Sequence, residues 1–387
     1  MSELRYYFDY AASTPLHPNV LDSMWSFMQD ERYFSNAHAS HYRGAQVDDF
    51  IREELAGIYD LIGIRNHELY ITSGATESIN WILRNFSKQS KSSSRRIISS
   101  HLEHKATTEV LKHIRNDDRI EYVKNGKDGS IDMTHLEFLL SEKTDLVSIM
   151  HVNNELGVIN DIEQIGKLCK QKGASLHVDA AQSIGKLPTK VLFEWADFIT
   201  VSAHKLYGPK GIGGLFVPKG HILAPLLFGG GSRVRPGTLA THQVVGFVEA
   251  FKLIHQLEKD AHRLSLLVNA FKERLLQIDG LKILGSNKLN VPHITSITIS
   301  GVHAKTLQRV MHPFMISIGS SCNSTQQEPS SVLKSIGLSD GLASSTIRIS
   351  MGLYTDQQGA DQFLDLLQLQ VSRLRNLSNG APEWCQI

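Results

Sequence analysis

The middle of the chain alternates short apolar runs with helical patterns of apolar and polar residues. Four runs, in RRIISSHLEHK, TDLVSIMHVNNE, ASLHVDAAQS and ADFITVSAHK, pass directly into polar residues around His104, Asn154, Asp179 and Ser202. This alternation predicts an α/β fold in which helices flank a mostly parallel sheet. Because ligands of open α/β sheets bind beyond the carboxyl ends of the strands, we expect the four run ends to form one site.

The pattern changes near residue 260. A long helical pattern in EKDAHRLSLLVNAFKERLLQI is followed by the strand patterns HITSITIS, FMISIG and TIRISM, which are mixed with helices and predict a smaller α+β domain. We expect a large α/β domain at residues 15–260 and a small domain formed by residues 1–14 and 261–387. The last helix should pack on the small sheet through one apolar face, formed by Phe363, Leu366, Leu367, Val371 and Leu374.

The composition is that of a globular protein with a large core. Of the 387 residues, 41% are hydrophobic and 20% are charged, which excludes a disordered chain. The formal charge of +1 gives no general attraction to polyanions, so we expect no direct nucleic-acid binding. The N-terminal MSELRYYFDY lacks the apolar core of a signal peptide, and no run has the length of a membrane helix. We therefore expect a cytoplasmic protein.

The three cysteines differ in their surroundings. They are too few for a disulfide framework and lack the spacing of a zinc site, and the chain's paired histidines have no further ligand at suitable spacing, so we predict no metal. Cys169 falls on the apolar face of DIEQIGKLCKQKG and should lie in the core. Cys385 is expected to be a bystander near the C-terminus rather than a second sulfur relay. Cys322 lies among polar residues in SIGSSCNSTQQEPSSVL, where a thiol stays accessible for reaction.

Two run ends carry residues suited to cofactor chemistry. SAHKLYGPKGIGG places Lys205 after an apolar run, and a lysine held in a cleft can form a Schiff base with a carbonyl compound. HVDAAQS places Asp179 at a neighbouring run end, where a carboxylate can pair with the protonated pyridine nitrogen of pyridoxal phosphate. TSGATES precedes a helical pattern, and backbone N–H groups at such a helix start bind phosphate. The segment lacks the Gly-Lys-Ser/Thr ending of a nucleotide loop, so a cofactor phosphate is expected rather than ATP.

Taken together, eight motifs in order resemble the pyridoxal-phosphate cysteine desulfurases of the NifS/IscS type, which belong to the class V aminotransferases. The motifs are TSGATES, EHKA, HVNNELGV, HVDAAQS, SAHKLYGPKG, GTLATHQ, GSSCNS with EPS, and STIRISMG. The likeness runs from YFDYAASTPLHP to RLRNLS, which is nearly the whole chain. The resemblance implies a fold type I pyridoxal-phosphate transferase, a homodimer with active sites at the subunit boundary, and a sulfur-acceptor protein as partner.

The resemblance assigns a role to each matching residue around the cofactor. Lys205 matches the Schiff-base lysine, Asp179 the partner of the pyridine nitrogen, and Gln182 the donor to the ring hydroxyl. His104 matches the histidine stacked on the ring, and it is also our candidate for the base that helps to ionise the nucleophilic thiol. The cofactor phosphate is expected to bind Ala75, Thr76, Ser202 and His204, together with Thr238 of the other subunit.

The same resemblance assigns the substrate-binding and sulfur-accepting residues. Asn154 and Arg348 match the residues that hold the carboxylate of L-cysteine, a task suited to the guanidinium fork. Lys205 removes the Cα proton, and the Cys322 thiolate takes the substrate sulfur as a persulfide, leaving L-alanine. The nucleophile must reach both the cleft and an acceptor, so we expect it on a mobile loop at about residues 318–331.

Departures from the family pattern leave alternatives open. SRVRPGT follows FGGG as a shortened segment, with Pro236 where the family has serine, so the cross-subunit wall around residues 229–238 is expected to differ. SNGAPEWCQI ends before the family's scaffold-binding tail, which makes an acceptor in tRNA thiolation or DNA phosphorothioation at least as well supported as one in iron–sulfur assembly. The rival functions are a selenocysteine lyase, a related lyase or transaminase that does not use Cys322, and a catalytically silent scaffold.

Overall fold

The computed structural model describes residues 3–88, 95–114, 118–230, 234–286, 289–319 and 330–379. Cys322 and Cys385 lie outside these ranges. Within them, a seven-stranded sheet and a four-stranded sheet are each covered by helices. None of the helices in the described ranges is both long and apolar enough to cross a membrane.

The larger sheet is mostly parallel, as the sequence predicts. Its strands are β1 (His67–Thr72), β2 (Arg96–Ser100), β3 (Arg119–Val123), β4 (Leu146–Met150), β5 (Ser175–Asp179), β6 (Phe198–Ser202) and β7 (Gly213–Pro218). Their order across the sheet is β1-β7-β6-β5-β4-β2-β3. The pairs among β2 to β6 are parallel, whereas β7 runs antiparallel to β1 and β6. The ends of β4, β5 and β6 therefore meet at one edge, as the four apolar runs predict.

Helices bury both faces of the larger sheet. Successive strand residues point to opposite faces, so Ile97 and Ile98 of β2 enter two different apolar clusters, and Leu215 and Phe216 of β7 separate in the same way. The helices of this region are α1 (Pro18–Gln29), α2 (Tyr42–Ile62), α3 (Ala75–Lys88), α4 (Lys105–Lys112), α5 (Met133–Leu139), α6 (Ile162–Lys172), α7 (Lys190–Trp195) and α8 (Thr241–Lys252). Of these, α3 and α4 cover the face of Ile97.

Helix α6 shows how local sequence signals set the helix ends. The Asp161 side chain accepts a hydrogen bond from the Gln164 N–H at 3.0 Å and caps the first turn. Gly173 ends the helix in the left-handed conformation, at φ 70°, as the pattern predicts. Cys169 is buried on the inner face, which confirms its expected place in the core.

The smaller sheet is antiparallel and has the order β10-β11-β9-β8. Its strands are β8 (Leu281–Ile283), β9 (Ile294–Ile299), β10 (Ser317–Ile318) and β11 (Thr346–Ser350). The helices that follow α8 are α9 (Ile254–Leu275), α10 (Ala304–Val310), α11 (Ser331–Ser335), α12 (Asp340–Ser344) and α13 (Gln357–Asn379). Phe363, Leu367 and Val371 of α13 are buried in the apolar cluster of this sheet, as predicted.

The N-terminal segment and α9 connect the two apolar regions. Phe8 packs in the cluster of the smaller sheet, and Tyr10, two residues later, packs in that of the larger sheet. Similarly, Leu257 of α9 joins the cluster of the larger sheet, whereas Leu264 joins the other. The division of the chain into domains near residues 14 and 260 stays a prediction.

Candidate active site

A cavity of about 690 Å³ lies beyond the carboxyl ends of β4, β5 and β6. Ten of the residues proposed from the sequence line it: Ala75, Thr76, His104, Asn154, Asp179, Gln182, Ser202, His204, Lys205 and Arg348. The fold therefore brings together residues that are far apart in the sequence, from Ala75 to Arg348.

One end of the cavity has the features of an anion site. Gly74 takes φ +145°, a conformation that L side chains rarely adopt, and turns the chain into the first turn of α3. Amide N–H groups in a first helical turn have no partner within the helix, so those of Ala75 and Thr76 are available to a phosphate. His204 contacts Ser13, with Nδ1 3.2 Å from Oγ, and burial lowers the pKa of the His204 ring to about 4.

Asp179 is the buried carboxylate at the end of β5. It accepts a hydrogen bond from the Ala181 N–H at 2.9 Å. Burial raises the pKa of the Asp179 carboxyl, and the nearby His104 and Lys205 act in the opposite direction. A buried carboxylate of this kind is stabilised by a cation, and a protonated pyridine nitrogen supplies one.

Two further polar side chains lie beside Asp179. Gln182 donates through Nε2 to the carbonyl oxygen of Ala11 at 2.7 Å. His104 precedes α4, and its Nδ1 accepts a hydrogen bond from the Ala106 N–H at 3.1 Å. Burial lowers the pKa of the His104 ring, so the ring is neutral near pH 7 and carries its proton on Nε2.

Lys205 lies in a 3₁₀ turn, Ala203–Lys205, directly after β6. Its Nζ donates to the carbonyl oxygen of Ala12 at 2.8 Å and also to that of Ala11. These carbonyl groups belong to the N-terminal segment, to which the sequence analysis gives no role.

Arg348 of β11 forms the opposite side of the cavity. Its guanidinium donates to the carbonyl oxygen of Asn154 at 2.9 Å, to Asp9 at 2.8 Å and to the Ser317 hydroxyl at 3.1 Å. Asp9 and Ser317 also line the cavity, and the sequence analysis assigns neither to the site. No local pattern marks Asp9, because the partners of its carboxylate, Ser317 and Arg348, are 308 and 339 positions away in the sequence.

Two further ionisable groups lie close to the site and have no role in the sequence predictions: Lys186, which is partly buried, and Glu103, which is buried. Lys186 donates to Oε1 of Gln182 at 3.3 Å, and burial, followed by repulsion from Lys205, lowers the pKa of its ammonium to about 7. Glu103 accepts a hydrogen bond from the Met150 N–H at 2.9 Å, and burial raises the pKa of its carboxyl well above the ordinary value.

Several sequence predictions are not tested by the described residues. Thr238 is exposed and is not among the residues that line it, so its predicted contact with the cofactor of the other subunit stays a prediction. Cys322 and residues 320–329 of its predicted loop lie outside the described residues, as does Cys385. The base role of His104 toward Cys322 is likewise untested.

The residues of the cavity fit pyridoxal phosphate. The first turn of α3 suits its phosphate, the buried carboxylate of Asp179 suits its ring nitrogen, and Lys205 suits its aldehyde. The volume accommodates the cofactor and a small amino acid together.

Comparisons with known proteins agree with this arrangement. The profile of the class-V aminotransferases matches residues 6–363. The cysteine desulfurase IscS of Proteus mirabilis (strain HI4320) is 38% identical over 389 residues, which cover 99% of this chain and 96% of that protein. A solved NifS-like protein superposes with a TM-score of 0.87 at 30% identity, covering 95% of this chain and 100% of that one. The structure described as SspA in complex with cysteine gives a TM-score of 0.78 at 30% identity, covering 91% of this chain and 100% of that one.

These comparisons confirm the predicted fold type, cofactor and protein family. The chain belongs to the class-V aminotransferase family, among its pyridoxal-phosphate cysteine desulfurases of the NifS/IscS type.

Proposed function

We propose that the chain removes sulfur from L-cysteine, releases L-alanine and passes the sulfur to an acceptor protein through Cys322. The observation that supports this most strongly is the placement of Lys205, Asp179 and Arg348 around one cavity. These are the groups needed to anchor the cofactor, hold its ring nitrogen and bind an amino-acid carboxylate.

Each residue of the cavity has a part in the proposed reaction. Bound pyridoxal phosphate supplies an electron sink for the Cα atom of the amino acid. Arg348 and Asn154 hold the carboxylate, and the amine of Lys205 takes the Cα proton. Asp179 keeps the ring nitrogen protonated, and Gln182 orients the ring through its hydroxyl.

The sulfur-transfer step conserves atoms and electrons. The Cys322 thiolate attacks the substrate sulfur, an S–S bond forms as the C–S bond breaks, and the carbon skeleton keeps the electron pair. After protonation this skeleton leaves as L-alanine, and Cys322 holds a persulfide. If His104 accepts the thiol proton, its Nδ1 must first leave the Ala106 N–H, because Nε2 already carries the proton of the neutral ring.

We propose that the enzyme is a homodimer in which Thr238 reaches the cofactor phosphate of the partner subunit. A stripe of exposed apolar side chains on α1 supports an interface: Leu21, Trp25 and Met28 are 53%, 57% and 53% exposed. Their spacing of four and three residues places them on one face of the helix. Phe34 and Phe228 add exposed aromatic surface, at 80% and 90%.

For the sulfur acceptor we propose a protein partner in the cytoplasm. A persulfide on a polar segment is transferred by attack of a second thiolate, and this requires a partner that can approach Cys322. The near-neutral formal charge supports a protein rather than a nucleic acid as the direct acceptor. Iron–sulfur assembly, tRNA thiolation and DNA phosphorothioation all remain compatible with this chemistry.

Two variants separate the proposed function from its rivals. Lys205→Ala should lose the yellow colour of the covalently attached cofactor and all alanine production, whereas Lys219→Ala, at an exposed lysine, should keep both. Cys322→Ala should keep the colour but lose transfer of sulfur to an acceptor thiol. A colourless parent protein would indicate a silent scaffold. Normal sulfur transfer by Cys322→Ala would instead indicate a lyase that does not use this thiol.

A further inference from the structure

Asp9 joins three parts of the chain at one edge of the cavity. Its Oδ1 atom accepts hydrogen bonds from Nη2 of Arg348 and from the Ser317 hydroxyl, both at 2.8 Å. Arg348 lies on β11, whereas Ser317 is the first residue of β10, the strand that leads toward Cys322. Asp9 itself pairs with Ser350 of β11 through a backbone bridge.

The contacts of Arg348 leave one terminal N–H group of its guanidinium available. Nη1 donates to the carbonyl oxygen of Asn154 at 2.9 Å, and Nη2 is occupied by Asp9 and Ser317. The Nε atom is buried and has no hydrogen-bond partner among the residues that the structure describes. Nη1, in contrast, has a second hydrogen besides the one donated to Asn154, and this N–H group can donate to a carboxylate in the cavity that Arg348 lines.

We propose that Asp9 is a positioning residue that fixes the Arg348 guanidinium for the substrate carboxylate and ties it to Ser317. This inference rests on the proposed function of Arg348. Arginine has a long, flexible side chain, and holding its two terminal nitrogens keeps the guanidinium at the cavity wall with little further loss of side-chain entropy on binding. A change at the carboxylate site is thereby linked to the strand that precedes the sulfur acceptor.

The position of the pair distinguishes it from an ordinary surface ion pair. Both side chains line the cavity. The Arg348 side chain is 12% exposed and the Asp9 side chain 21% exposed. Exposed ion pairs contribute little, but a pair shielded from water holds its geometry more firmly. The contact also joins residues 339 positions apart, so it forms only when the N-terminal segment packs on β11.

The test measures binding of L-alanine and of ethylamine to the holoenzyme by the change in visible absorbance. L-Alanine shares the amine and carboxylate of the substrate but has no thiol, and ethylamine lacks the carboxylate. Asp9→Ala should weaken alanine binding about tenfold and leave ethylamine binding unchanged. Asp9→Asn should stay within about twofold of the parent, because its amide oxygen can accept both hydrogen bonds. Thermal unfolding shows which variants are folded. If Asp9→Ala does not fold, Asp9→Ser replaces it, and the same weakening of alanine binding is expected.

Ser317→Ala tests the link toward Cys322. It should weaken alanine binding less than Asp9→Ala does, while lowering the sulfur transferred per alanine released. The inference would be overturned if Asp9→Ala weakened the binding of L-alanine and of ethylamine equally, or weakened the binding of neither. Arg348→Ala, measured in parallel, separates the two proposals. If it leaves alanine binding unchanged, the proposed function of Arg348 fails, and if it alone weakens alanine binding, only the role of Asp9 fails.

Discussion

Gly213 of β7 packs directly against Gly74, the residue that turns the chain into α3. A Cβ atom on Gly213 would lie 2.7 Å from the Cα of Gly74 and 2.5 Å from the carbonyl oxygen of Val201, closer than real Cβ contacts. Both obstructing atoms belong to the backbone, which cannot rotate away as a side chain can. The shape of the phosphate end of the cavity therefore depends on the absence of a side chain at Gly213.

Gly213→Ala should displace the turn at Gly74 and weaken retention of pyridoxal phosphate. Overpacking of this kind costs about 1–3 kcal/mol. Gly57→Ala is the matched control, because nothing lies within 4 Å of its Cβ position in α2. Dialysis followed by visible absorbance measures the retained cofactor, and equal retention by both variants would show that this contact has no part in the site.

Lys186 should make the stability of the cofactor-free protein rise with pH. Its folded pKa of about 7 lies below the ordinary 10.5, so between these values the unfolded chain holds a proton that the folded protein has lost. The free energy of unfolding should therefore increase from pH 7 toward pH 10, by at most about 1.4 kcal/mol per pH unit. Lys186→Met should remove this slope in urea titrations, whereas Lys219→Met should preserve it. An unchanged slope in Lys186→Met would contradict the assignment.

Glu103 should make the free energy of unfolding fall as the pH rises, which is the opposite of the effect of Lys186. Its pKa in the folded protein lies above the ordinary 4.5. At a pH between these two pKa values, the folded protein holds a proton that the unfolded chain has lost. This contribution to the free energy of unfolding falls as the pH rises above 4.5. Glu103→Gln keeps an acceptor for the Met150 N–H and has no ionisation. Its melting temperature should exceed that of the parent by a margin that grows as the pH rises above the ordinary 4.5, and a constant or shrinking margin would count against this account.

The α1 stripe provides a test of the proposed dimer. Trp25→Glu places a charge in the proposed interface, where it would be shielded from water and would therefore oppose association. Light scattering should show a shift from twice the mass of the chain toward the mass of a single chain. Leu369→Glu, at a side chain 62% exposed on α13, is the control and should leave the mass unchanged. A parent protein with the mass of one chain would refute the dimer, and an unchanged mass for Trp25→Glu would place the interface elsewhere.

The sequence predicts the larger sheet well because its signals are local. Each of the apolar runs that end at Asp179 and Ser202 carries its own strand pattern, and parallel pairing brings their ends together. In the same way, Gly173 marks the end of α6 without reference to the rest of the fold. The strand predicted in FMISIG is divided between two partners: Ser317–Ile318 pair with β11, whereas Met315 pairs with Tyr7 of the N-terminal segment.

The parts of the site that the sequence did not predict depend on contacts between distant segments. Asp9 reaches Arg348 only because the N-terminal segment lies along β11, and nothing in FDYAAS indicates that neighbour. Lys186 follows the predicted cofactor residues by a few positions, but the residues that line a small pocket with it come mostly from distant segments, such as Tyr10, Leu257 of α9 and Met351. A pattern along one stretch of chain carries no information of this kind.

The central claim is tested most directly by locating the sulfur after one turnover. The holoenzyme is mixed with L-cysteine, its free thiols are alkylated, and the peptides that contain Cys169, Cys322 and Cys385 are weighed by mass spectrometry. We expect one added sulfur atom on the Cys322 peptide and one alanine per modified chain. The Cys169 peptide should stay unmodified, because burial raises the pKa of this thiol to about 12. Lys205→Ala should abolish the addition. Sulfur found on Cys385 or Cys169 instead, or alanine formed with no modified peptide, would contradict the account.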